Sequence, residues 1–480
     1  MNIALAKFLL ILLLLLPPLF FLRKVTAPAY PILGADPLEV TILEDHRDAL
    51  QHWVSEGVRN AVLVNIDAHD DLKKVSTEHI AVLKALCQGK ESKQACKNTD
   101  DAGPPVTNAD FIHAAAKLEV LSSVYWVIPN TYGIFSNDGS TLTALLRSYG
   151  FPDEDIVTFS RKGACFAGTT DGIPITICDA ANLPQLDEPV LLSFDTDYFP
   201  QLIGNKNLRI INAVRETFKT LAGKELQIRD ATVAFSVNGG FLSTGYRWIG
   251  ELVIDILRNP SIIAQKELPP RYTFLQRIDL LFIMERYREV LDEVSPLIAR
   301  EGADPTLFIY AARASGGLGL TKDSFRYAEK ACMSEKSYCY GLPEIGITLL
   351  DQGKLGVAER FFTRGYDLCT GMDHGQFRLA MALKDSGRYE DAIKYFKFFR
   401  DCYGSFPVDF YIADTFLLMK DEASALKFFE SGRKAAIKNP ESLVRFGDRR
   451  IIEKAAAFYA TKEYRDYASE LRKILDSHPN

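Results

Sequence analysis

The chain has 480 residues, 47% hydrophobic and 25% charged, with a net charge of −6. This is ordinary globular composition, and the length predicts two or three domains. Acids and bases are mixed throughout, with no basic stripe or acidic tail, so nothing supports nucleic acid as a partner.

The first segment, "MNIALAKFLLILLLLLPPLFFLRK", is apolar from Phe8 to Leu22, with Lys7 before it and Arg23 and Lys24 after it. With Ile3–Ala6 included it just spans a bilayer. Residues 1–24 are therefore a signal peptide or a signal-anchor. Ala27-Pro28-Ala29 has the small-x-small form of a cleavage site, but the basic pair intervenes, which favours the uncleaved anchor. That pair alone would place the body in the cytoplasm. The cysteines point the other way. All eight have near neighbours: Cys87/Cys96, Cys165/Cys178, Cys332/Cys339 and Cys369/Cys402. Local pairs in even number mark export into an oxidising compartment, the alternative being eight buried thiols. No Asn-x-Ser/Thr sequon occurs. The expectation is a membrane-anchored protein whose body is extracytoplasmic, in a bacterial periplasm.

Residues 25–37 read as a linker. From residue 38 to 264, apolar runs alternate with helical patterns. The predicted strands are "LEVTILE", "AVLVNID", "VYWVIP", "DIVTFS", "PVLLSFD" and "ATVAFSV", and "CFAGTTDGIPITIC" reads as a hairpin bridged across its ends. Helical patterns such as "NADFIHAAAKLEVL" and "STLTALLRSYG" lie between. Nearly continuous apolar strands alternating with helices predict an α/β three-layer domain, its mostly parallel sheet covered on both faces. Cys87–Pro105 is polar and reads as a surface loop.

"NPSIIAQKELPPRY" marks a boundary, and residues 271–478 are helical throughout. "GKLGVAERFF", "GRYEDAIKYF" and "DEASALKFF" place alanines at 358, 392 and 425, spaced by 34 and 33 residues. That is the tetratricopeptide period. "MERYREVLDEV" and "DSFRYAEKA" read as degenerate earlier copies, and "KEYRDYASELRKIL" as a later copy or cap. Such pairs stack into an all-α solenoid, whose surface suits a peptide or protein partner. An irregular helical domain is the plainer alternative.

The chemistry concentrates at strand ends. "NIDAHDDL" closes an apolar run with Asp67, His69, Asp70 and Asp71. Alternate residues of an extended chain share a side, so Asp67, His69 and Asp71 are expected to project together, with Asp70 opposite. "PVLLSFDTDYF" repeats the construction with Asp195 and Asp197, and "VTILEDHRDAL" brings His46 to a third strand end. Sites in open α/β sheets form outside the carboxyl ends of strands. Four clustered carboxylates would repel and protonate unless a cation compensates them. Two histidines with four aspartates suit two divalent ions, Mn²⁺ best, with Fe, Co or Zn also compatible. Such a pair would activate water at neutral pH. The bland alternative is a polar network. His79 and His113 are the candidate proton shuttles, although either also fits an ordinary helix position. In "GYRWIGEL", Arg247 is either a substrate clamp or a salt-bridged junction residue.

"DAHDD" and "SFDTD" resemble the paired metal motifs of the arginase–agmatinase–deacetylase superfamily, Asp-Ala-His-x-Asp and Ser-Phe-Asp-x-Asp. The resemblance covers roughly residues 38–258. It is closest to a little-characterised branch that includes peptide arginases, on Glu44-Asp45-His46, Asp110-Phe111-Ile112 and Trp126–Pro129. It implies that Asp67 and Asp195 bridge two metals, His46 and Asp71 completing one site and His69 and Asp197 the other. It also implies hydrolysis of C–N bonds, such as the guanidino group of arginine in a peptide or protein. The chain departs from the pattern at Ser236, which stands where arginases place a guanidinium-holding Glu. Glu251, on the following helix, is the one substitute. Asn238 opens "NGGF", similar to a Gly-Gly-Tyr turn of the deacetylases, but Phe241 lacks the hydroxyl. Ser236, Asn238, Arg247 and Glu251 are thus the candidate substrate contacts. Two further readings remain: a membrane-tethered repeat adaptor on a catalytically silent scaffold, and a metal-dependent amide or acyl hydrolase.

Overall fold

A strand flanked by helices on both sides has no polar face to spare, and the residues Ala61–Ile66 are apolar apart from Asn65. In the computed structural model all six are buried. Val62, Val64 and Ile66 join one core while Ala61 and Leu63 join another, as the two-residue period of a strand requires. The structure describes residues 38–87, 106–130, 133–135, 139–203, 209–238, 240–368, 373–403, 408–438, 449–461 and 464–477. The expected anchor and linker, residues 1–37, lie outside them, as do Cys96 and Cys369 of two expected cysteine pairs. Among the described residues no helix is long and apolar enough to cross a membrane.

The strands are β1 (Val40–Leu43), β2 (Ala61–Ile66), β3 (Leu121–Val127), β4 (Ser160–Lys162), β5 (Cys165–Thr170), β6 (Ile173–Cys178), β7 (Val190–Asp195) and β8 (Ile228–Ala234). They form one sheet in the order β1-β8-β7-β2-β3-β6-β5-β4. The pairings from β1 to β6 are parallel, and β4 and β5 add an antiparallel edge. The order reverses between β2 and β7, the place where an open sheet parts its loops into a crevice. Ile66 pairs with Phe194, so β2 and β7 end level and deliver Asp67 and Asp195 side by side.

On one face lie α1 (Asp48–Ser55), α2 (Thr77–Cys87), α3 (Phe111–Lys117), α4 (Ser140–Ser148) and α5 (Asp153–Ile156). On the other lie α6 (Tyr198–Ile203), α7 (Ile210–Ala222), α8 (Arg247–Arg258) and α9 (Ser261–Ala264). The expected strand "DIVTFS" is not one. Pro152 caps α5, three acids fill its first turn where the helix dipole favours them, and Val157 points into solvent, 80% exposed. The expected hairpin is present as β5–β6, closed by Cys165–Cys178, and Cys332–Cys339 also forms a disulfide.

Beyond residue 269 the described elements are helices: α10 (Pro270–Ile283), α11 (Tyr287–Ile298), α12 (Pro305–Gly317), α13 (Thr321–Ser334), α14 (Gly341–Asp351), α15 (Leu355–Leu368), α16 (Asp373–Asp385), α17 (Tyr389–Tyr403), α18 (Val408–Leu418), α19 (Glu422–Lys438), α20 (Arg449–Thr461) and α21 (Arg465–Ser477). Neighbours in sequence pack as pairs, and the second helices α15, α17 and α19 carry Ala358, Ala392 and Ala425, all fully buried. A small residue there lets adjacent helices approach, so the region is a tetratricopeptide-like stack.

Candidate metal centre

β2 ends at Ile66, and the chain then turns instead of running on extended. The expectation that alternation alone gathers Asp67, His69 and Asp71 is therefore corrected. Asp71 reaches the cluster through a left-handed backbone, φ 50°, in a turn whose Asp71 carbonyl accepts the Ile112 N–H. Asp70, expected to point away, is buried and accepts the Leu72 N–H at 3.4 Å, its carboxyl pushed up to about 6 by burial.

The structure brings six side chains together. His46 Nδ1 lies 3.1 Å from Asp67 Oδ2, 3.0 Å from Asp71 Oδ2 and 3.4 Å from Asp195 Oδ2. His69 Nδ1 lies 2.9 Å from Asp197 Oδ2 and 3.8 Å from Asp67 Oδ1. Two donor groups result, His46/Asp67/Asp71 and Asp67/His69/Asp197, each with its atoms within 4.8 Å of one another. Asp67 belongs to both. Asp195 sits beside the first group, and its Oδ1 accepts the Asp197 N–H at 3.1 Å.

An outer layer fixes these groups. His46 Nε2 is 2.8 Å from Ser193 Oγ, which accepts from Thr232 Oγ1 at 2.8 Å, and the imidazole lies 4.7 Å from the Phe111 ring. Asn65 Nδ2 donates to Asp67 Oδ2 at 3.2 Å, and the His69 N–H donates to Asp67 Oδ1 at 2.8 Å. Ser236 Oγ donates to Asp195 Oδ2 at 2.6 Å. Such partners orient ligands and set their basicity. Two of them left a trace in sequence: Asn65 interrupts an apolar strand, and Ser193 lies two residues before Asp195, on the same side of β7. Thr232 left none.

The residues fit cations. His46 Nδ1 and both Asp197 oxygens are buried without a well-formed hydrogen bond, with only ion-pair approaches to other members of the cluster. Buried polar atoms in that state call for an additional partner. The electrostatics agree. Burial, then the charge of Asp67, pushes the Asp71 carboxyl well above its usual range. Burial, then Asp195, raises Asp197 to about 7. Against the cost of burial, Asp197 lifts His69 to about 10, and Asp195, Asp67 and Asp71 lift His46 well above its ordinary value. Without a cation the cluster has to retain protons. Imidazole nitrogens with carboxylate oxygens are a donor set for Mn²⁺ or its first-row neighbours.

The remaining expected residues are in neither donor group. His113 Nδ1 accepts the Val75 N–H at 3.2 Å and its Nε2 is 3.1 Å from Asp171 Oδ2, so its two ring nitrogens tie α3 to the segment before α2 and to the β5–β6 turn. His79 is half-buried in the first turn of α2, its N–H held by Ser76 Oγ. Arg247 is buried and bidentate to Glu44, its guanidinium 3.9 Å from the Phe235 ring centre, the arrangement of a salt-bridged junction residue. Glu251 accepts from Tyr338 Oη at 3.2 Å and pairs with Arg271 at 2.5 Å, lining a cavity of about 570 Å³ at the start of the helical region. Asn238 is half-buried in the turn that the Gly240 N–H to Val237 bond closes.

No family model matches the chain, and no curated protein matches it. Among solved structures, MamA aligns at 17% identity and TM-score 0.26, over 34% of this chain and 92% of that one. YrrB, described as a TPR protein with an unusual peptide-binding site, aligns at 15% identity and TM-score 0.26, over 42% and 96%. At such scores neither likeness carries an argument. The repeat architecture rests on the buried alanines and the helix pairs that carry them.

Proposed function

We propose that the chain is a two-metal hydrolase of arginase-like type, acting on C–N bonds of guanidino groups in peptides or proteins. The observation that supports it is the pair of donor groups sharing Asp67, in which His46 Nδ1 and the Asp197 carboxylate are buried without well-formed hydrogen bonds. His46, Asp67 and Asp71 would hold one ion, Asp67, His69 and Asp197 the other, with Asp195 beside the first. When bound, the ions would supply charge compensation and activate water at neutral pH. Ser193, Asn65 and Ser236 hold the ligand side chains in place. The solenoid would gather a peptide or protein substrate by raising its local concentration. Two disulfides suit an oxidising compartment, so we place the body outside the cytoplasm, tethered through residues 1–24.

One observation favours the adaptor reading instead. Ser236 stands where a guanidinium-gripping carboxylate would be expected, and its hydroxyl is already given to Asp195. Metal counting separates the two. The full chain is loaded with Mn²⁺, desalted, and its metal counted beside Asp67→Asn. About two ions per chain, falling to near zero in the variant, supports the hydrolase and is followed by a screen of guanidino peptides and amides. Near zero in both makes the cluster a polar network and the solenoid the working part.

A further inference from the structure

The loop after β8 is fastened at both ends. At its start, Ser236 N–H donates to the Glu44 carbonyl, Ser236 Oγ to Asp195, and the Phe241 ring lies 5.5 Å from the His69 ring. At its end, Glu344 in the first turn of α14 accepts Ser243 Oγ–H on Oε1 at 2.6 Å and the Thr244 N–H on Oε2 at 2.8 Å. Arg313 Nε lies 3.8 Å from Glu344 Oε1. Side chains of the helical region also come close to two glycines in and just after the loop. A Cβ at Gly240 would come within 2.7 Å of Tyr340 Oη, and one at Gly245 within 2.5 Å of Arg313.

Ser236 has φ 51°, a conformation that serine keeps only where its surroundings over-determine it. One constraint is the pairing to Glu44. The other is the remainder of the loop, whose Leu242 N–H returns to the Ser236 carbonyl and whose end Glu344 holds. We infer that Glu344 is a positioning residue of the metal centre: it keeps the loop in the path that aims Ser236 at Asp195 and Phe241 at His69. The helical region then completes the site as well as recruiting to it, and a partner seated on α14 would be felt at the metals. This inference rests on the two-metal reading.

The test uses the full chain, a Mn²⁺ titration followed by the signal of the free ion, and the visible spectrum of the Co²⁺-loaded protein, which reports ligand geometry. Glu344→Ala is expected to weaken Mn²⁺ binding about 10-fold and to alter the Co²⁺ bands. Glu344→Gln, with one acceptor oxygen left, is expected to recover part of both. Ser243→Ala is expected to lose at least about 3-fold, and to add little once Glu344→Ala is present. If Glu344→Ala does not fold, Ser243→Ala carries the test. Metal uptake by the parent with unchanged affinity and spectrum in the variants overturns the positioning role and leaves the two-metal reading intact. A parent that takes up no metal overturns both.

Discussion

His46 and His52 lie six residues apart and titrate for different reasons. His46 is enclosed by three aspartates of the candidate metal centre, so its charge is bound up with whatever cation sits there. His52 is paired with a single aspartate, Asp230. Its Nε2 is 3.1 Å from both Asp230 oxygens and 3.3 Å from Thr41 Oγ1, tying α1 to β8 and β1. The Asp230 hydrogen bond raises its pKa above the ordinary 6.5, outweighing the opposing effect of burial. A raised folded-state value makes the pair stabilising at low pH, fully so below the unfolded pKa, and the contribution fades as pH rises through the folded value. His52→Ala should therefore cost roughly 1 kcal/mol near pH 5.5 and clearly less near pH 9. Urea unfolding of parent and variant at both pH values measures it, and a cost that does not change with pH would refute the assignment.

At the scale of elements, the solenoid is held by rings seated against glycines. The Phe362 ring on α15 lies between α14 and α16, where a Cβ on Gly346 would sit 2.9 Å from it and one on Gly375 2.6 Å. Phe362→Ala should cost about 3–5 kcal/mol. Its cluster is separate from the two cores that sandwich the sheet. Hydrogen exchange should therefore accelerate in α14–α17 while the β2 and β7 amides keep their protection; acceleration spread evenly over the chain would contradict that. Legibility follows the same division between local and distant. The buried strands, the bridged hairpin and the repeat alanines could be read because apolar runs, turn residues and a fixed period are local signals. "DIVTFS" misled because its β-branched residues outweighed the Pro-Asp-Glu-Asp start of a short helix. The six cluster residues were legible as acids and histidines at strand ends, yet the geometry that collects them was not. Asp71 arrives through a left-handed turn, and the hydroxyls of Ser193 and Ser236 meet His46 and Asp195 across 147 and 41 residues. No pattern within a single element encodes such contacts.

For the whole molecule, the boundary read at residues 264–271 separates kinds of secondary structure but not bodies of packing. The core beneath one face of the sheet runs on through Tyr272, Leu275 and Ile278 of α10, Val290 and Val294 of α11, and Ile309 and Tyr310 of α12. Trp248 Nε1 donates to Tyr310 Oη at 3.4 Å, Tyr310 Oη donates to Asp279 at 3.1 Å, and Gln276 Oε1 accepts the Ile211 N–H at 3.1 Å. Loss of β signal and a proline pair cannot show this, because what a helix buries depends on its partner. Each large apolar side chain uncovered by a cut at 264 forfeits about 1.5–3 kcal/mol, and several such losses approach the total of about 5–15 kcal/mol that holds a domain folded. A chain of residues 38–264 is expected to lack near-UV circular dichroism and a cooperative denaturant transition. One of residues 38–351, which keeps α10–α14 with Tyr340 and Glu344, is expected to show both. A sharp transition in the shorter chain would mean that the sheet closes its own core, and the first helices would then be an appended solenoid instead of the floor on which the site is built.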